Sequence, residues 1–295
     1  MTTYRPMLAA TLENATQLRF PLLASAKLDG LRCILMNGVA YSRNLKPFRN
    51  AYVQEQLAHI SNYDLDGELI VGPPNQGHVL GRTQSGIMSG SGEPDFKFHV
   101  FDRFTDAQLP FKTRIRGIPQ LSGSRRVEVV EQAVIRDTYE LELYETRVLA
   151  LGYEGVILRC PLAKYKFGRA TPNENSMWKV KRFRDGEAEV IAWEEGVHNL
   201  NEATIDALGR TKRSNHQDNK VGSEQIGTLI CKEYITGEIF PVSPGRMTQA
   251  WRKYYFEKPE DLVGKIIKYK AFDYGVLDAP RFATFQAIRD EADMP

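Results

Sequence analysis

Residues 24–33 read ASAKLDGLRC, which sets Lys27 two positions before Asp29, three before Gly30 and five before Arg32. An ammonium, a carboxylate, a turn residue and a guanidinium so close together can form a nucleophile beside a phosphate clamp. The same residues also make an ordinary charged hairpin, so the stretch gains weight only from others like it. A lysine with a pKa near 10.4 is neutral in roughly one molecule in 2,500 at pH 7. To attack phosphorus, Lys27 needs cationic neighbours or partial desolvation to lower that value. Lys179, Lys181 and a bound metal are the expected neighbours.

Further charged groups recur at strand-like positions. Arg43 lies in SRN, Glu68 in LDGEL, Glu154 and Arg159 in EGVILR, and Lys179 and Lys181 in WKVK. Strand alternation turns these spacings into faces. Lys27 and Asp29 are expected on one face. Lys179 and Lys181 share another, with Trp178 and Val180 turned to the core. Glu68 falls opposite Leu65, Gly67 and Leu69. Each of these alone is also what a solvated strand face looks like; together they suit a polar cleft over an apolar floor. Lysines and arginines there would neutralise phosphate oxygens, and carboxylates would hold a bridging divalent cation. No G-x-x-x-x-G-K-[ST] loop and no H-E-x-x-H is present, so phosphate recognition rests on side chains and a zinc site is not expected. The glycine-rich GIMSGSGEP at 86–94 reads as a flexible surface loop.

The elements that must carry these residues are legible in outline. Two apolar runs flank Asn37-Gly38, a hairpin signal. Val53, Leu57 and Ile60 are spaced for a short amphipathic helix. DLDGELIV and PDFKFHVFDRF read as strands. Asp137 and Glu140 resemble a capping box, with Gly152 as the stop of that helix. EGVILR and MWKVKRF read as two more strands. After Phe183 the runs GEAEVIAWEEG, GTLICKEY, KIIKYKAF and RFATFQAI suggest a small antiparallel barrel, although a sandwich would give the same pattern. The polar stretch 199–225 is expected to be a long exposed loop. These shifts place a boundary near 182–185.

Bulk properties exclude some classes. The 295 residues are 42% hydrophobic and 26% charged, with no apolar run near the ~18 residues of a membrane span. No secretory leader is expected. Three distant cysteines give no disulfide frame, which fits a reducing compartment. Net charge is only +2, yet residues 1–182 hold 24 Lys and Arg against 18 Asp and Glu, and the remainder 15 against 19. A nucleic-acid partner is compatible with this distribution if cations converge locally.

Taken in order, KLDGLR, SRN, LDGEL, VFD, EGVILR and WKVK resemble the motifs of covalent nucleotidyltransferases. The closest resemblance is to compact ATP-dependent DNA ligases of the phage or viral type, and it extends from RPMLA at 5–9 to PRFATFQAIRD at 280–290. The run EGVILRCPLAKYKFGRATPNENSMWKVKRF is its most specific part. The resemblance implies an α+β fold: a nucleotidyltransferase (adenylation) domain of antiparallel sheets and helices over 1–182, then a small all-β OB-fold DNA-binding domain over 183–295. It implies ATP and Mg²⁺ (or Mn²⁺) as cofactors and nicked double-stranded DNA as partner. A monomer without membrane association is expected, in the cytoplasm of a bacterium or a phage-infected cell, with a role in replication, repair or recombination.

Residue roles follow from motif position. Lys27 would carry AMP, and Asp29 and Gly30 would shape its loop. Ser25 stands where relatives often place an acidic or amide group on the adenine amino group. Arg32 and Arg43 would contact AMP or the nick 5′-phosphate. Glu68 would bind the ribose or assist the metal, with Glu154 the main metal ligand. Phe101 would stack on adenine, with Phe98 as its rival. Lys179 and Lys181 would stabilise charge on the α-phosphate. Arg159 would organise the site or meet DNA, and Arg169, Arg210, Lys212 and Arg213 would meet DNA. Arg281, Arg289 and Asp290 resemble the last motif, in which Arg289 and Asp290 would orient pyrophosphate; Glu291 departs from the lysine often found there. An NAD donor is disfavoured, because relatives using it carry additional domains. The alternatives are an RNA-capping guanylyltransferase, an RNA ligase, or an inactive nucleic-acid-binding module.

Overall fold

The computed structural model describes residues 4–60, 63–118, 125–272 and 279–289. It divides into two compact units, Met1–Lys181 with Asp206–Arg210, and Arg182–Ile205 with Thr211–Pro295.

The first unit contains strands β1 (Ala10–Thr11), β2 (Leu22–Ala26), β3 (Leu31–Met36), β4 (Val39–Ser42), β5 (Leu65–Val71), β6 (Phe96–Arg103), β7 (Val127–Val129), β8 (Ala133–Ile135), β9 (Val156–Arg159) and β10 (Met177–Val180). Its helices are α1 (Ala51–Ala58), α2 (Val79–Met88), α3 (Phe111–Arg116) and α4 (Thr138–Ala150). The strands form two five-stranded sheets, ordered β1-β10-β9-β2-β8 and β4-β3-β5-β6-β7. Pairing is antiparallel except at β1–β10 and β6–β7.

Alternation gives each sheet one apolar face. In the first sheet Leu22, Ala24, Val156, Leu158 and Trp178 pack with Leu141 and Val148 of α4. In the second, Cys33, Leu35, Leu65, Leu69, Phe96, Phe98 and Val100 pack with Val53 and Leu57 of α1 and Ile87 of α2. Each large side chain buried in this way contributes about 1.5–3 kcal/mol. A smaller cluster joins the sheets, with Ile34 of β3 and Met177 of β10 meeting Met7 and Tyr165.

Local signals explain the ends of these elements. Asn37 and Gly38 both have positive φ, 50° and 74°, as a two-residue hairpin turn requires. The Asp137 carboxylate caps α4 by accepting the Glu140 N–H at 2.8 Å, and Glu140 in turn accepts the Arg136 N–H at 2.7 Å. The glycine-rich loop begins later than the sequence suggests, because Gly86, Ile87 and Met88 form the last turn of α2. Burial of Val79, Thr83 and Ile87 at i, i+4 and i+8 outweighs the helix cost of Gly81 and Gly86.

The second unit holds β11 (Arg184–Asn199), β12 (Ala203–Ile205), β13 (Thr211–Arg213), β14 (Lys220–Glu233), β15 (Ile239–Val242), α5 (Gln249–Glu257), β16 (Ile266–Phe272) and β17 (Arg281–Ile288). The main sheet runs β15-β14-β11-β16-β17. Its two edges meet: the Ser243 N–H donates to the Ala283 carbonyl and the Phe285 N–H to the Ser243 carbonyl, both at 2.9 Å. The result is a closed five-stranded barrel with α5 between its third and fourth strands, the arrangement of an OB-fold rather than of a sandwich. Val190, Leu229, Cys231, Phe240, Ile267, Tyr269 and Phe285 fill it.

The stretch 199–225 is not one long loop. It holds the β12–β13 hairpin and the start of β14. Every residue of β12 and β13 is exposed, so no burial pattern marked these strands in the sequence. No helix among the described residues is long and apolar enough to cross a membrane. All three cysteines are free thiols.

Candidate active site

The expected pairing of Lys27 and Asp29 on one strand face does not occur. β2 stops at Ala26, and residues 27–30 form the turn into β3. The Lys27 backbone N–H donates to the Gly155 carbonyl at 2.8 Å, which ties this turn to the strand entry beside Glu154. Gly30 is required by close approach: a Cβ there would lie 2.5 Å from the Leu69 carbonyl oxygen and 2.7 Å from Ile70 Cγ1. Asp29 stays in the turn, where its charge acts on Glu68.

A cleft of about 290 Å³ opens beside Lys27. β9 gives it a long axis. At one end Val156 lies opposite Ala26 and Val180; at the other Arg159 lies opposite Leu23 and Met177. Three strand steps separate these ends, about 10 Å. At the first end the Glu154 carboxylate pairs with the ammonium groups of both Lys27 and Lys181. The neighbours of Lys27 are therefore not purely cationic: an anion sits between the two lysines, and the Lys27 lone pair is not free while that pairing lasts. Lys179 lines the same cleft, while Trp178 is fully buried behind it. Burial, followed by Arg169, Lys27 and Arg43, pulls the Lys179 pKa down.

Ser25, buried on β2 opposite Ile157, lies along the wall. At the far end strand alternation puts Phe101 on the face opposite Phe96, Phe98 and Val100, and a β-bulge brings the next residue, Asp102, opposite Asp66. The β5–β6 register shifts between the Asp66–Asp102 and Gly67–Val100 pairs, leaving Phe101 as the extra residue. Phe101 lines the cleft, whereas Phe98 is fully buried in the second sheet's core. The Arg32 and Arg159 guanidinium groups lie 4.7 Å and 5.6 Å from the Phe101 ring centroid. The fully buried Asp102 holds Arg159 and also pairs with Arg114 at 2.8 and 3.0 Å.

Arg32 is held by Asp66 in a two-pronged ion pair of 2.5 and 2.6 Å and donates to the Met7 carbonyl at 2.9 Å. Burial disfavours its charge, but Asp66, joined by Tyr165 and Glu68, outweighs burial and the Arg32 pKa rises. Glu68 Oε2 accepts the Gly30 N–H at 3.0 Å. Burial pushes the Glu68 carboxyl up, against the opposing pull of Lys27 and of that N–H. Arg43, in the turn after β4, is shifted downward by burial and then by Arg32 and Arg169. Arg169 donates to the Ala9 carbonyl at 3.1 Å.

Among the remaining sequence-selected residues, Arg210 belongs to the first unit and donates to the Asn44 side chain at 2.8 Å. Arg210 pairs with Asp206 at 2.8 Å, and Lys212 is exposed on β13. Arg213 donates to the Asn201 carbonyl. Arg289 donates through Nε to Glu187 at 2.6 Å, and the Arg281 guanidinium lies 5.0 Å from the Phe282 ring centroid. Asp290 and Glu291 fall outside the described residues.

Among the described residues no group of three or more His, Cys, Asp or Glu could hold a metal by itself. Of the two carboxylates expected to hold a metal, Glu68 lines the cleft and Glu154 adjoins it through Lys27 and Lys181. One or two carboxylates are what a Mg²⁺ shared with substrate phosphates uses, so the donor set fits such a cation. A cation on Glu154 would compete with the two lysines already there.

Asp66, Asp102, Arg114 and Tyr165 were not singled out from sequence. Asp66 and Asp102 sit inside LDGEL and VFD, which was a usable signal. Nothing local marks Arg114 or Tyr165, whose partners are distant in the chain.

A family model described as the ATP dependent DNA ligase domain matches residues 6–181. The structure of a Chlorella virus DNA ligase-adenylate is similar, with 29% identity and a TM-score of 0.55, covering 97% of this chain and 99% of that one. A Lig E DNA ligase structure aligns with a TM-score of 0.71 at 23% identity, covering 96% and 98% of the two chains, and supports the fold. No curated protein matches the sequence. With over half its length matched by that family model, the chain belongs to the ATP-dependent DNA ligase family.

Proposed function

We propose that this ligase seals 5′-phosphate/3′-hydroxyl nicks in duplex DNA through AMP carried on Lys27. In the first step Lys27 Nζ bonds to the α-phosphorus of ATP, the bond to pyrophosphate breaks, and a proton leaves the nitrogen. AMP then passes from Nζ to the 5′-phosphate at the nick. In the last step the 3′-hydroxyl attacks that phosphate and AMP departs.

The observation that carries this reading is the contact of Glu154 with both Lys27 and Lys181 at one end of the cleft. Glu154 is within reach of the proton that Nζ must lose. Lys181 and Lys179 are fixed cations for charge developing on the phosphate, and fixed charges need no reorganisation as the reaction proceeds. The adenine would lie toward Phe101, beside Arg159 at the far end of β9, with Ser25 on the wall opposite Ile157. Arg32 would hold the ribose or phosphate, with Arg43 and Arg169 nearer the DNA end. A divalent cation bound by Glu154 and the triphosphate would neutralise charge at the α-phosphate. In the second unit, Lys212 and Arg213 on the β12–β13 hairpin are candidates for DNA backbone contacts, and Arg289 for orienting pyrophosphate. The protein is expected to act as a monomer.

The test is incubation with α-labelled ATP and Mg²⁺ followed by a denaturing gel. Label is expected to remain on the protein, to be released by acid, and to be absent from Lys27→Ala. A label from GTP alone would assign the protein to capping chemistry. Sealing of nicked RNA but not nicked DNA would make it an RNA ligase.

A further inference from the structure

Arg32 is gripped by a closed ring of hydrogen bonds whose members come from four distant parts of the chain. Asp66 on β5 takes its Nε and Nη2 at 2.5 and 2.6 Å. The same Asp66 Oδ2 accepts the Tyr165 hydroxyl at 2.5 Å. That hydroxyl accepts the Met7 backbone N–H at 3.1 Å, and the Met7 carbonyl completes the ring by accepting Arg32 Nη2 at 2.9 Å.

The Tyr165 oxygen is also 3.2 Å from the Tyr4 hydroxyl. A phenol has one proton and two lone pairs. With its proton on Asp66, Tyr165 must accept from both Met7 and Tyr4, so its capacity is full. Tyr165 is only 3% exposed and Asp66 is fully buried, so water does not readily replace a lost partner at either group. Burial, reinforced by Asp66, pushes the Tyr165 pKa well up and keeps the phenol protonated. Its ring is wedged against Phe104, with centroids 5.4 Å apart, which fixes where the hydroxyl points.

We propose that Tyr165 is a positioning residue for nucleotidyl transfer: its hydroxyl locks the Asp66 carboxylate and the Met7 peptide in the one arrangement that aims Arg32 into the cleft. The inference rests on the reading that Arg32 contacts the nucleotide. Removing the hydroxyl leaves a buried N–H without an acceptor and Oδ2 with one donor fewer. Both anchors of Arg32 then loosen together.

The experiment is a double-mutant cycle on the full chain, read as the single-turnover rate of Lys27 adenylylation. Tyr165→Phe is expected to slow it 10- to 100-fold, and Arg32→Gln at least as much. The double variant should be no slower than Arg32→Gln, because Tyr165 acts through the arginine. Penalties that multiply, or a Tyr165→Phe rate within twofold of wild type, overturn the proposal. Should Tyr165→Phe fail to fold, Tyr4→Phe removes only the outer donor. Its smaller slowing must also vanish in the Arg32→Gln background, and a slowing that persists there overturns the proposal. A wild-type chain that never takes label from ATP would instead sink the ligation reading itself.

Discussion

Glu154 is the residue on which the proposed chemistry turns. A carboxylate touching two ammonium groups would store the lysine proposed as nucleophile in its charged form and stand ready to take its proton. Proton-transfer groups of this kind contribute about 10²–10⁴ in rate. Glu154→Gln is therefore expected to slow Lys27 adenylylation by at least ~10²-fold, measured as label uptake at saturating ATP. A loss under fivefold would mean that the proton leaves by another route. Glu68 makes a different prediction, about stability. Its folded-state pKa is raised by burial, so its favourable contribution exists below the unfolded carboxylate pKa and is lost as pH rises through the folded value. At neutral pH the ionised side chain costs stability. Glu68→Gln should melt higher than wild type at pH 7–8, with the gain shrinking toward zero in acid. A lower melting temperature at pH 8 would contradict this sign.

Elements position these groups through backbone approaches that leave no room for side chains. Gly30 lies against the Leu69 carbonyl, and Gly155, at φ +155°, lies against the Val180 carbonyl. These contacts hold the Lys27 turn and the Glu154 strand entry at their places beside β5 and β10. Gly155→Ala should cost about 2 kcal/mol or more, through strain and steric displacement. Chemical denaturation would measure that cost, and label uptake should fall with it. Trp178 anchors β10 from the other side, fully buried and donating to the Asn175 side chain at 2.8 Å. Trp178→Ala is expected to destabilise the unit by about 3–5 kcal/mol. An unchanged denaturation midpoint would show that β10 is held by its sheet neighbours alone.

Across the whole molecule the cations are placed locally rather than in excess, since net charge is only +2. DNA binding through such a surface should be steeply salt-dependent, each phosphate contact adding about 0.9 to the slope of log K against log salt. Arg169→Ala and Lys212→Ala should each flatten that slope by about 0.9, in titrations of nicked duplex at several salt concentrations. A slope unchanged in both variants would remove these residues from the DNA contacts.

Much of this was readable from the chain. Asn37-Gly38 fixed its hairpin because only such residues take two positive φ values cheaply, and WKVK fixed its faces because strand side chains alternate. Lys27, Glu68, Glu154, Lys179 and Lys181 were picked out as groups suited to a phosphate-handling cleft, and the fold brings them into or beside one cleft. Other features depended on contacts that no local pattern encodes. The Lys27 turn left its strand early, a bulge brought Asp102 opposite Asp66, and the exposed β12–β13 hairpin had no buried face to announce it. Glu154 meeting both lysines, and Tyr165 closing a ring through Asp66 and Met7, join residues up to 158 positions apart. Sequence supplies donors, acceptors and charges. Only packing in three dimensions decides which of them meet, because a buried polar group takes its partner from whichever segment the core brings beside it.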